Sequence, residues 1–474
     1  MKVGIIGAGP AGMTAAYELS KAGVLIELFE SSSAVGGMAK SISLWNQTID
    51  LGPHRFFSSD TRINRIWLEV AGNDYDMVDR LTRILYKNKL YHYPLKPFNA
   101  LLNLGLAEAI RCMASYGKER VRPTPLGDNP SFEDWVVSRF GRRLFNIFFK
   151  TYSEKLWGIS CSELDADFAA QRIKKFSLME AVKSAFGLGA TQHKTLVDQF
   201  AYPHGGTGSI YNRMAKKCQE MNGKIHLNTP VRRVVHAHSQ TIGIELADGS
   251  VKTFDHVISS MPITDLVSRM DGVPQTVSQA LGRLRFRNTV IVFLRVQGPD
   301  LFKDNWLYVH SAGLATGRIT NFRNWTPHIY GTQSDTVLAL EYWCYHEDCL
   351  WRLHDEDIRA QAVKDLAASG LLKNRAVLDG HIVRIENSYP VYARGYKEPL
   401  AVVADYLKTV RNLSLIGRYG AFKYNNQDHS MLMGLLAAQN IAKGERHNLW
   451  AINTDYEYQE SSVITKVGLV EKAR

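Results

Sequence analysis

The chain has 474 residues, of which 45% are hydrophobic, so it can bury a large core and is not a disordered protein. Its 57 Lys and Arg residues outnumber its 46 Asp and Glu residues, and the net charge of +11 suits an anionic ligand, a nucleic acid or an acidic membrane surface. Because the charge is spread along the chain, a small anionic substrate explains it as well as a polymer does, and a merely solvated basic surface is the alternative. We do not expect nucleic acid as a partner.

The cysteines and the apolar segments exclude two further classes of protein. The five cysteines are odd in number and show no CxxC spacing, so neither a disulfide framework nor a zinc site is indicated, and no metal site is predicted. This usage fits a reducing compartment, and we expect a cytoplasmic protein. No apolar run approaches the roughly 18 residues needed to span a bilayer, so a transmembrane segment is not expected.

The N-terminus predicts a strand, a glycine-rich turn, a helix and a second strand. Residues 2–6 form the first strand, and the GxGxxG run that follows contains Gly7, Gly9 and Gly12. In this arrangement the first glycine permits a tight turn, the second lets the backbone approach a pyrophosphate, and the third lets the helix and strand pack closely. Glu30 ends the second strand, where an acid accepts a hydrogen bond from a ribose hydroxyl. The pattern predicts a dinucleotide site.

Later segments carry further signals of the same kind. A polar loop after Glu30 contains the pair Gly36-Gly37, where the backbone must pass close to a bulky group. Val231 begins a segment that leads into a hairpin turning at Asp248-Gly249. Near the other end of the chain, GRYGAFKYNNQDHSM (417–431) follows a short apolar strand and precedes a helical run.

These features resemble the FAD-binding family that includes amine oxidases, protoporphyrinogen oxidase and UDP-galactopyranose mutase. The resemblance implies an α/β fold with a Rossmann-like FAD-binding domain of the glutathione-reductase type, an inserted helical domain and an antiparallel-sheet substrate domain. The implied cofactor is FAD. The expected divisions are a discontinuous FAD-binding domain (1–95, 195–262 and 400–445), a helical substrate-binding domain (96–194), a mixed-sheet substrate domain (263–399) and a polar C-terminal tail with little order (446–474).

The resemblance also implies which residues meet the flavin. Besides the first glycines and Glu30, the expected contacts are Gly36, Gly37, Val231, Gly417, Arg418, Asp428 and Met431. Arg418 would neutralise the pyrophosphate. The helix that starts near Asp428 would point its N-terminal N–H groups at the flavin N1/C2 carbonyl, and a helix N-terminus favours the negative charge of an anionic reduced flavin.

Three shorter stretches are more specifically similar to the UDP-galactopyranose mutases: the Gly-Pro-His-x-Phe core at 52–56, FFKTYSEKLWG at 148–158, and the GRxGxxxYxxxD run that starts at Gly417. The first would place His54 against the flavin. The second would place Phe148, Tyr152 and Trp157 at the substrate, the tyrosine and tryptophan lining a uridine pocket.

Two positions depart from the mutase pattern, and a third matches it. Lys175 stands where the mutases have an arginine, and Asn426 stands where they have a second acid; both are expected to contact substrate. Tyr424 would donate a hydrogen bond to a phosphate oxygen. Without the resemblance, the aromatic residues of 145–157 would be assigned to the core and His54 to a turn cap, and both alternatives stay open.

The resemblance implies a mutase, for which His54, Arg418 and Tyr424 are the expected catalytic residues. In that reaction N5 of reduced FAD attacks the anomeric carbon of a nucleotide-diphosphate sugar and expels the nucleotide diphosphate. The sugar ring then opens and recloses in the furanose form, and the returning diphosphate displaces the flavin. NADPH or NADH is a candidate reductant and a homodimer a candidate assembly. The alternatives are an FAD-dependent oxidase or desaturase, which takes a hydride from its substrate, and a binding module without turnover.

Overall fold

The computed structural model describes residues 1–93, 95, 97–123, 125–167, 199–452, 462–465 and 468–471. The strands are Lys2–Ile6, Leu25–Phe29, Ser41–Leu44, Gln47–Asp50, Tyr75–Asp79, Thr82–Tyr86, Lys89–His92, Gln199–Pro203, Lys224–His226, Val231–Ala237, Gln240–Leu246, Val251–Thr253, His256–Ser259, Phe286–Val296, Trp306–Val309, Arg318–Asn321, Thr336–Cys344, Val377–Pro390, Leu413–Leu415, Ser462–Thr465 and Gly468–Glu471.

The α-helices are Pro10–Lys21, Thr61–Ala71, Pro97–Leu104, Leu106–Val121, Phe132–Phe145, Thr151–Trp157, Gly208–Glu220, Ile263–Ser268, Gln275–Leu281, Cys349–Arg352, Asp355–Ala368, Lys397–Thr409, Gly417–Gly420 and Gln427–Lys443. A π-helical turn covers Asn146–Lys150, and 3-10 turns cover Gly37–Ala39, Phe322–Asn324, Pro327–Ile329 and Leu449–Ala451.

Five parallel strands form one sheet, which we call the nucleotide sheet. Their order is Leu413–Leu415, His256–Ser259, Lys2–Ile6, Leu25–Phe29 and Lys224–His226. The two ends of the chain therefore meet in this sheet. The first helix also packs on the last long helix, since a Cβ added to Gly434 would lie 2.3 Å from the carbonyl oxygen of Ala11. This arrangement confirms the predicted α/β class and Rossmann-like core.

Seven strands form a second sheet, the large sheet. Their order is Val377–Pro390, Phe286–Val296, Thr336–Cys344, Arg318–Asn321, Trp306–Val309, Thr82–Tyr86 and Lys89–His92. All neighbouring strands are antiparallel except Trp306–Val309 and Thr82–Tyr86, which are parallel. The segment 1–95, expected in the FAD-binding domain, thus also supplies two strands to the large sheet.

Both faces of the large sheet are covered. Along Phe286–Val296, Val290, Val292 and Leu294 pack into one hydrophobic cluster, whereas Ile291 and Phe293 pack into another. A strand that is buried on both faces reads as a continuous apolar run rather than an alternating one.

The described part of the inserted segment expected at 96–194, residues 97–123 and 125–167, is largely helical, but its helices are interrupted; residues 168–194 lie outside the described residues. Gly141 adopts a left-handed φ of 80° inside Phe132–Phe145, and a side chain there would meet the backbone of Tyr116 at 2.8 Å. The π-helical turn Asn146–Lys150 then shifts the phase of the following helix, which ends at Gly158 with a φ of 67°. An uninterrupted helix would place Phe148 and Tyr152 on one stripe, but the π-helical turn splits them between two environments.

The described part of the C-terminal segment 446–474 includes a pair of short strands. Ser462–Thr465 pairs with Gly468–Glu471 as an antiparallel hairpin, and Ile464 is buried against the core that surrounds the first helix. Among the described residues, no helix combines the length and the apolar character needed to cross a bilayer.

Candidate active site

The protein's own geometry requires glycine at two positions of the first turn but not at the third. Gly7 has a φ of 92°, and a Cβ on Gly12 would lie only 1.9 Å from the carbonyl oxygen of Gly7. Gly9, by contrast, has an ordinary φ of −70°, and its Cβ would meet only the Cα of Gly37, at 3.9 Å. Since nothing in the surrounding protein requires a glycine at position 9, the space in front of it is available to a ligand at the N-terminus of helix Pro10–Lys21.

Glu30 is held rigidly at the end of the second strand. Its buried carboxylate accepts hydrogen bonds from the backbone N–H of Ala8 at 2.8 Å and from the N–H and hydroxyl of Ser32 at 2.9 and 2.7 Å. The N–H of Thr229 donates to the carbonyl oxygen of Glu30, which brings the start of strand Val231–Ala237 beside this acid. Val231 and Glu30 thus lie in one corner of the site, and their contacts with a nucleotide stay predictions.

The late segment returns to the glycine-rich turn, as predicted. Gly417 has a φ of 79°, and its Cβ would lie 3.2 Å from the Cβ of Ala11. The guanidinium of Arg418 donates to the carbonyl oxygens of Asn425, at 2.6 and 2.9 Å, and of Ser388, at 3.1 Å. It also lies 3.9 Å from the sulfur of Met38, next to the Gly36-Gly37 pair. Arg418 therefore ties the late segment to the large sheet, and its contact with a pyrophosphate stays a prediction.

The last long helix begins where the sequence predicted. Asn426 is its N-cap residue, and the N–H of Asn426 donates to Nδ1 of His429 in a capping box. Asp428 and Met431 are buried in the first turns, and burial raises the pKa of Asp428. Asn426 itself is exposed, so its capping role is visible while its expected substrate contact stays a prediction.

Gln427 is a site residue that the sequence reasoning missed. Its Nε2 donates to the carbonyl oxygen of Arg55 at 2.8 Å, and its Oε1 accepts from the hydroxyl of Tyr211 at 2.8 Å. It therefore links the start of the last helix to the loop that carries His54. The run Asn425-Asn426-Gln427 was the available signal, because three neighbouring amides before a helix are more than a cap requires.

A buried acid, Asp50, helps to anchor the loop that carries His54. Asp50 accepts a hydrogen bond from the hydroxyl of Tyr202 at 2.9 Å and one from the N–H of Thr207 at 3.2 Å, and burial raises its pKa to about 6. Thr207 in turn donates from its hydroxyl to the carbonyl oxygen of His54 at 2.6 Å. These contacts hold the position of the histidine.

The imidazole of His54 is neutral at pH 7. Burial, and then the positive charges of Arg318 and Arg418, lower its pKa to about 3. Its Nδ1 is buried and has no hydrogen-bond partner among the described residues. A neutral ring with a free polar atom can accept or donate one hydrogen bond to a bound group, and this favours a site role for His54 over a turn cap.

A buried ion pair stands beside His54. Arg318 and Glu341 face each other on neighbouring strands, with Arg318 Nε 2.6 Å from Glu341 Oε1 and a second bond to the other carboxylate oxygen. Burial opposes the charge of Arg318, but Glu341 and then Tyr389 keep the pKa of Arg318 well above its ordinary value. The sequence reasoning missed this pair, although one acid within the apolar run TVLALEYWC was a signal of it.

Tyr152 lies in a half-buried aromatic group that also contains residues the sequence did not single out. Its ring stacks on His310 with centroids 4.9 Å apart, and the edges of Tyr308 and Trp343 approach it at 5.4 and 5.7 Å. The indole Nε1 of Trp343 is buried and has no hydrogen-bond partner among the described residues. The group therefore combines ring faces with an available donor.

Trp157 and Tyr424 belong to an adjoining group. Trp157 is fully buried, stacks on Tyr392 at 5.9 Å and lies 5.9 Å from Tyr424. Tyr424 stacks on Tyr389 at 5.4 Å, and the guanidinium of Arg418 lies 5.0 Å from the Tyr424 ring. The structure thus brings together four of the predicted positions: Tyr152, Trp157, Arg418 and Tyr424.

Among the described residues, one predicted substrate position lies apart from this arrangement. Phe148 is 3% exposed and packs against Tyr86 and Tyr91, in a separate core cluster that the π-helical turn creates. Lys175 lies outside the described residues. The contacts of Phe148 are those of a core residue, which the sequence left open as an alternative.

FAD fits this arrangement of residues. The open space at Gly9 would leave room for a phosphate, and His54 Nδ1 and Trp343 Nε1 are buried polar atoms without a hydrogen-bond partner among the described residues. The residues that would hold the cofactor come from both ends of the chain: the first glycine turn, Glu30, the Gly36-Gly37 pair, Gly417 and the start of the last helix.

Comparison with solved structures shows the fold. The chain is similar to a reduced UDP-galactopyranose mutase, with a TM-score of 0.84 and 22% identity over 96% of this chain and 99% of the other. It is also similar to a wild-type putrescine oxidase bound to putrescine, with a TM-score of 0.64 and 17% identity over 94% and 99% of the two chains.

Sequence comparison with curated proteins covers a shorter part of the chain. The chain is 32% identical over 94 residues to the lycopene-forming phytoene desaturase of Pseudescherichia vulneris, a match that covers 19% of each protein. A model of the family described as flavin containing amine oxidoreductase, however, matches residues 10–441. The structural likeness and the family match agree with the glycine-rich turn at residues 7–12, and the chain belongs to the family of flavin-containing amine oxidoreductases.

Proposed function

We propose that the protein is an FAD-dependent mutase that interconverts the pyranose and furanose forms of a nucleotide-diphosphate sugar. The observation that carries this proposal is the continuous wall of tyrosines and arginines beside His54: Tyr152, Arg318, Tyr389, Arg418 and Tyr424. The likeness to a reduced UDP-galactopyranose mutase makes UDP-hexoses the first substrates to test.

The wall suits a ligand that is aromatic at one end and anionic in the middle. Tyrosine and tryptophan faces stack on a planar base, at about 1–3 kcal/mol for each base. The hydroxyl of Tyr424 would donate a hydrogen bond to a phosphate oxygen of the substrate, and hydrogen bonds to charged groups are the strong ones. Arg418 would add positive charge nearby while it holds its expected place at the pyrophosphate of FAD. An oxidase for a small cationic amine would not need cations at this place.

FAD in its reduced form would supply a nucleophilic N5 for attack at an anomeric carbon. The chain's own residues provide orientation and charge. The N-terminus of helix Gln427–Lys443 stabilises nearby negative charge by about 0.3–1 kcal/mol when exposed and by up to about 2 when partly buried. His54 stays neutral and offers a hydrogen bond. Tyr424 would hold the departing diphosphate in place for its return.

The test is an anaerobic assay with UDP-hexopyranoses, run with and without dithionite, NADPH or NADH, with products separated by chromatography. We expect isomerised sugar only after reduction, with many products formed per flavin and no net consumption of reductant. The opposite result is product formation by the oxidised protein, with one hydride taken per product and no added reductant.

That opposite result would support a second candidate, an FAD-dependent oxidase or desaturase. The specific observation in its favour is the sequence identity with a phytoene desaturase, together with the oxidoreductase family to which the chain belongs. Bleaching of the flavin by an added polyene or amine substrate, without prior reduction, distinguishes it from the mutase.

A further inference from the structure

Three side chains that are distant in sequence converge outside the proposed active site. Asp76 belongs to strand Tyr75–Asp79, His204 directly follows strand Gln199–Pro203, and His328 lies in the short turn Pro327–Ile329. One ligand atom from each side chain lies within 4.8 Å of the other two. His204 Nε2 is 3.4 Å from one carboxylate oxygen of Asp76, and His328 Nε2 is 3.9 Å from the other.

Neighbouring residues hold two of the three residues of this cluster in position. The hydroxyl of Thr326 donates to Asp76 Oδ2 at 2.5 Å and so fixes the carboxylate, as an outer partner does around metal ligands. The N–H of His204 donates to the carbonyl oxygen of Asp74, which holds the backbone of that histidine. The Nε2 of His204 is buried and makes no well-formed hydrogen bond among the described residues.

The two imidazoles are stacked with their ring centroids 3.7 Å apart. Imidazole is the commonest metal ligand among protein side chains. Because a metal ion lies in the plane of each imidazole that binds it, one of the two stacked rings would turn when an ion binds.

We propose that Asp76, His204 and His328 bind one divalent transition-metal ion, with Zn²⁺ the best match to two imidazoles and a carboxylate. Zn²⁺ takes nitrogen and oxygen ligands at about 2.0–2.2 Å, so the three ligand atoms would move closer together on binding, and water would fill the remaining position. The proposal is independent of the flavin chemistry.

The ion would act as a clamp between two parts of the fold. It would join the two-stranded pair that carries Asp76 and His204 to the loop after strand Arg318–Asn321 of the large sheet. In that loop Trp325 packs on Tyr202 at 4.8 Å, and Tyr202 bonds to Asp50 beneath the His54 loop. A metal there would stabilise the support of the active site without touching substrate.

The test uses full-length flavoprotein freed of metal by a chelator and titrated with ZnCl₂ in a calorimeter. We expect one Zn²⁺ per chain, a higher unfolding temperature with Zn²⁺, and an affinity at least about 10-fold weaker in His204→Ala, His328→Ala and Asp76→Asn, since even outer-partner changes cost about 10–100-fold. Thr326→Val should weaken binding within that range. His354→Ala, which alters an exposed histidine elsewhere, should match the parent.

Titration of the unmodified protein with CoCl₂ tests the site without requiring that any variant be folded. A visible cobalt absorption spectrum that saturates at one ion and is abolished by Zn²⁺ is expected. The proposal is overturned if the parent binds neither ion more tightly than the His204→Ala variant, or if zinc binding survives unchanged in all three ligand variants. Flavin content and far-ultraviolet circular dichroism show that each variant is folded.

Discussion

The glycine cradle and the aromatic wall of the site are built in different ways. The cradle uses the backbone of short continuous stretches, 7–12, 36–37 and 417–420, and its geometry depends on where a Cβ is absent. The wall uses side chains from separate strands and helices, and several of them also pack the core. A substitution at Gly9 can therefore remove binding without destabilising the fold, whereas a substitution in the wall affects both.

Replacement of Gly9 by valine should have the largest effect on the cradle. The backbone at Gly9 is extended with a φ of −70°, and its Cβ would touch no protein atom closer than 3.9 Å, so the chain can accept valine. The side chain would instead occupy the space of the pyrophosphate. We expect folded, nearly colourless protein, measured as visible flavin absorbance per chain after denaturation.

The matched control for that variant is Gly117→Val. Gly117 lies in helix Leu106–Val121, and a Cβ there meets nothing within 4 Å. This control should keep its flavin. A Gly9→Val protein with full flavin content would refute the cradle as the cofactor site.

Replacement of Trp157, whose ring lies 5.9 Å from Tyr424 of the wall, by alanine should show how far the aromatic residues beside the wall also stabilise the fold. Trp157 is fully buried and stacks on Tyr392, and truncation of a buried Phe or Trp typically costs about 3–5 kcal/mol. We expect a loss of this size in the free energy of unfolding, measured with urea. A loss below about 1 kcal/mol would mean that Trp157 faces a ligand space rather than the core.

Replacement of Tyr152 by alanine should separate binding from stability. Its ring is half-buried, and loss of one stacking surface should weaken binding of UDP by about 1–3 kcal/mol, with flavin content unchanged. The measurement is a calorimetric titration with UDP. Tyr406→Ala, a half-buried tyrosine on helix Lys397–Thr409, is the control, and equal UDP affinity of parent and Tyr152→Ala would remove Tyr152 from the binding site.

Replacement of His54 by glutamine should have the smallest effect, and it depends on pH. The folded-state pKa of about 3 lies below the unfolded value of about 6.5, so below pH 6.5 the unfolded chain takes up a proton that the folded chain does not. Stability of the parent is therefore lost as the pH falls from 6.5 towards 3. Between pH 7 and 5 the variant should lose about 1–2 kcal/mol less than the parent.

Comparing the variant with the parent separates the contribution of His54 to the pH dependence of stability from the contribution of Asp50. The pKa of Asp50 is raised to about 6 in the fold, so its contribution runs in the opposite direction, and it is present in both proteins. The measurement is urea unfolding at the two pH values, with His354→Gln as the control. Equal pH dependence of parent and His54→Gln would show that His54 is solvated rather than held neutral.

The difference between the two regions also explains which site residues could be predicted from the sequence. Gly7, Gly9, Gly12 and Glu30 follow one strand-turn-helix-strand pattern, so their relative positions depend on local geometry alone. Arg318, Glu341, Tyr389 and Gln427 meet only because separate strands and helices pair in three dimensions, and the sequence reasoning did not select them.

Within segment 145–157 the limit of sequence reasoning has a local cause. A helical stripe groups Phe148 with Tyr152 only if the helix is continuous, but the π-helical turn Asn146–Lys150 rotates one relative to the other. Phe148 then packs against Tyr91, and Tyr152 stacks on His310. The spacing of aromatic residues in the sequence does not show that a π-helical turn adds one residue and so rotates the helix that follows.

By itself the sequence determined the nucleotide-binding core, because glycine spacing and strand-helix alternation act through neighbouring residues and leave few conformations for the turn. The tertiary structure alone decided which side chains form the wall beside His54 and that Asp76, His204 and His328 lie together. Asp76, His204 and His328 are more than 100 positions apart in the sequence. The proximity of both groups depends on the register of the paired strands and on the packing of the sheets, which no local pattern specifies.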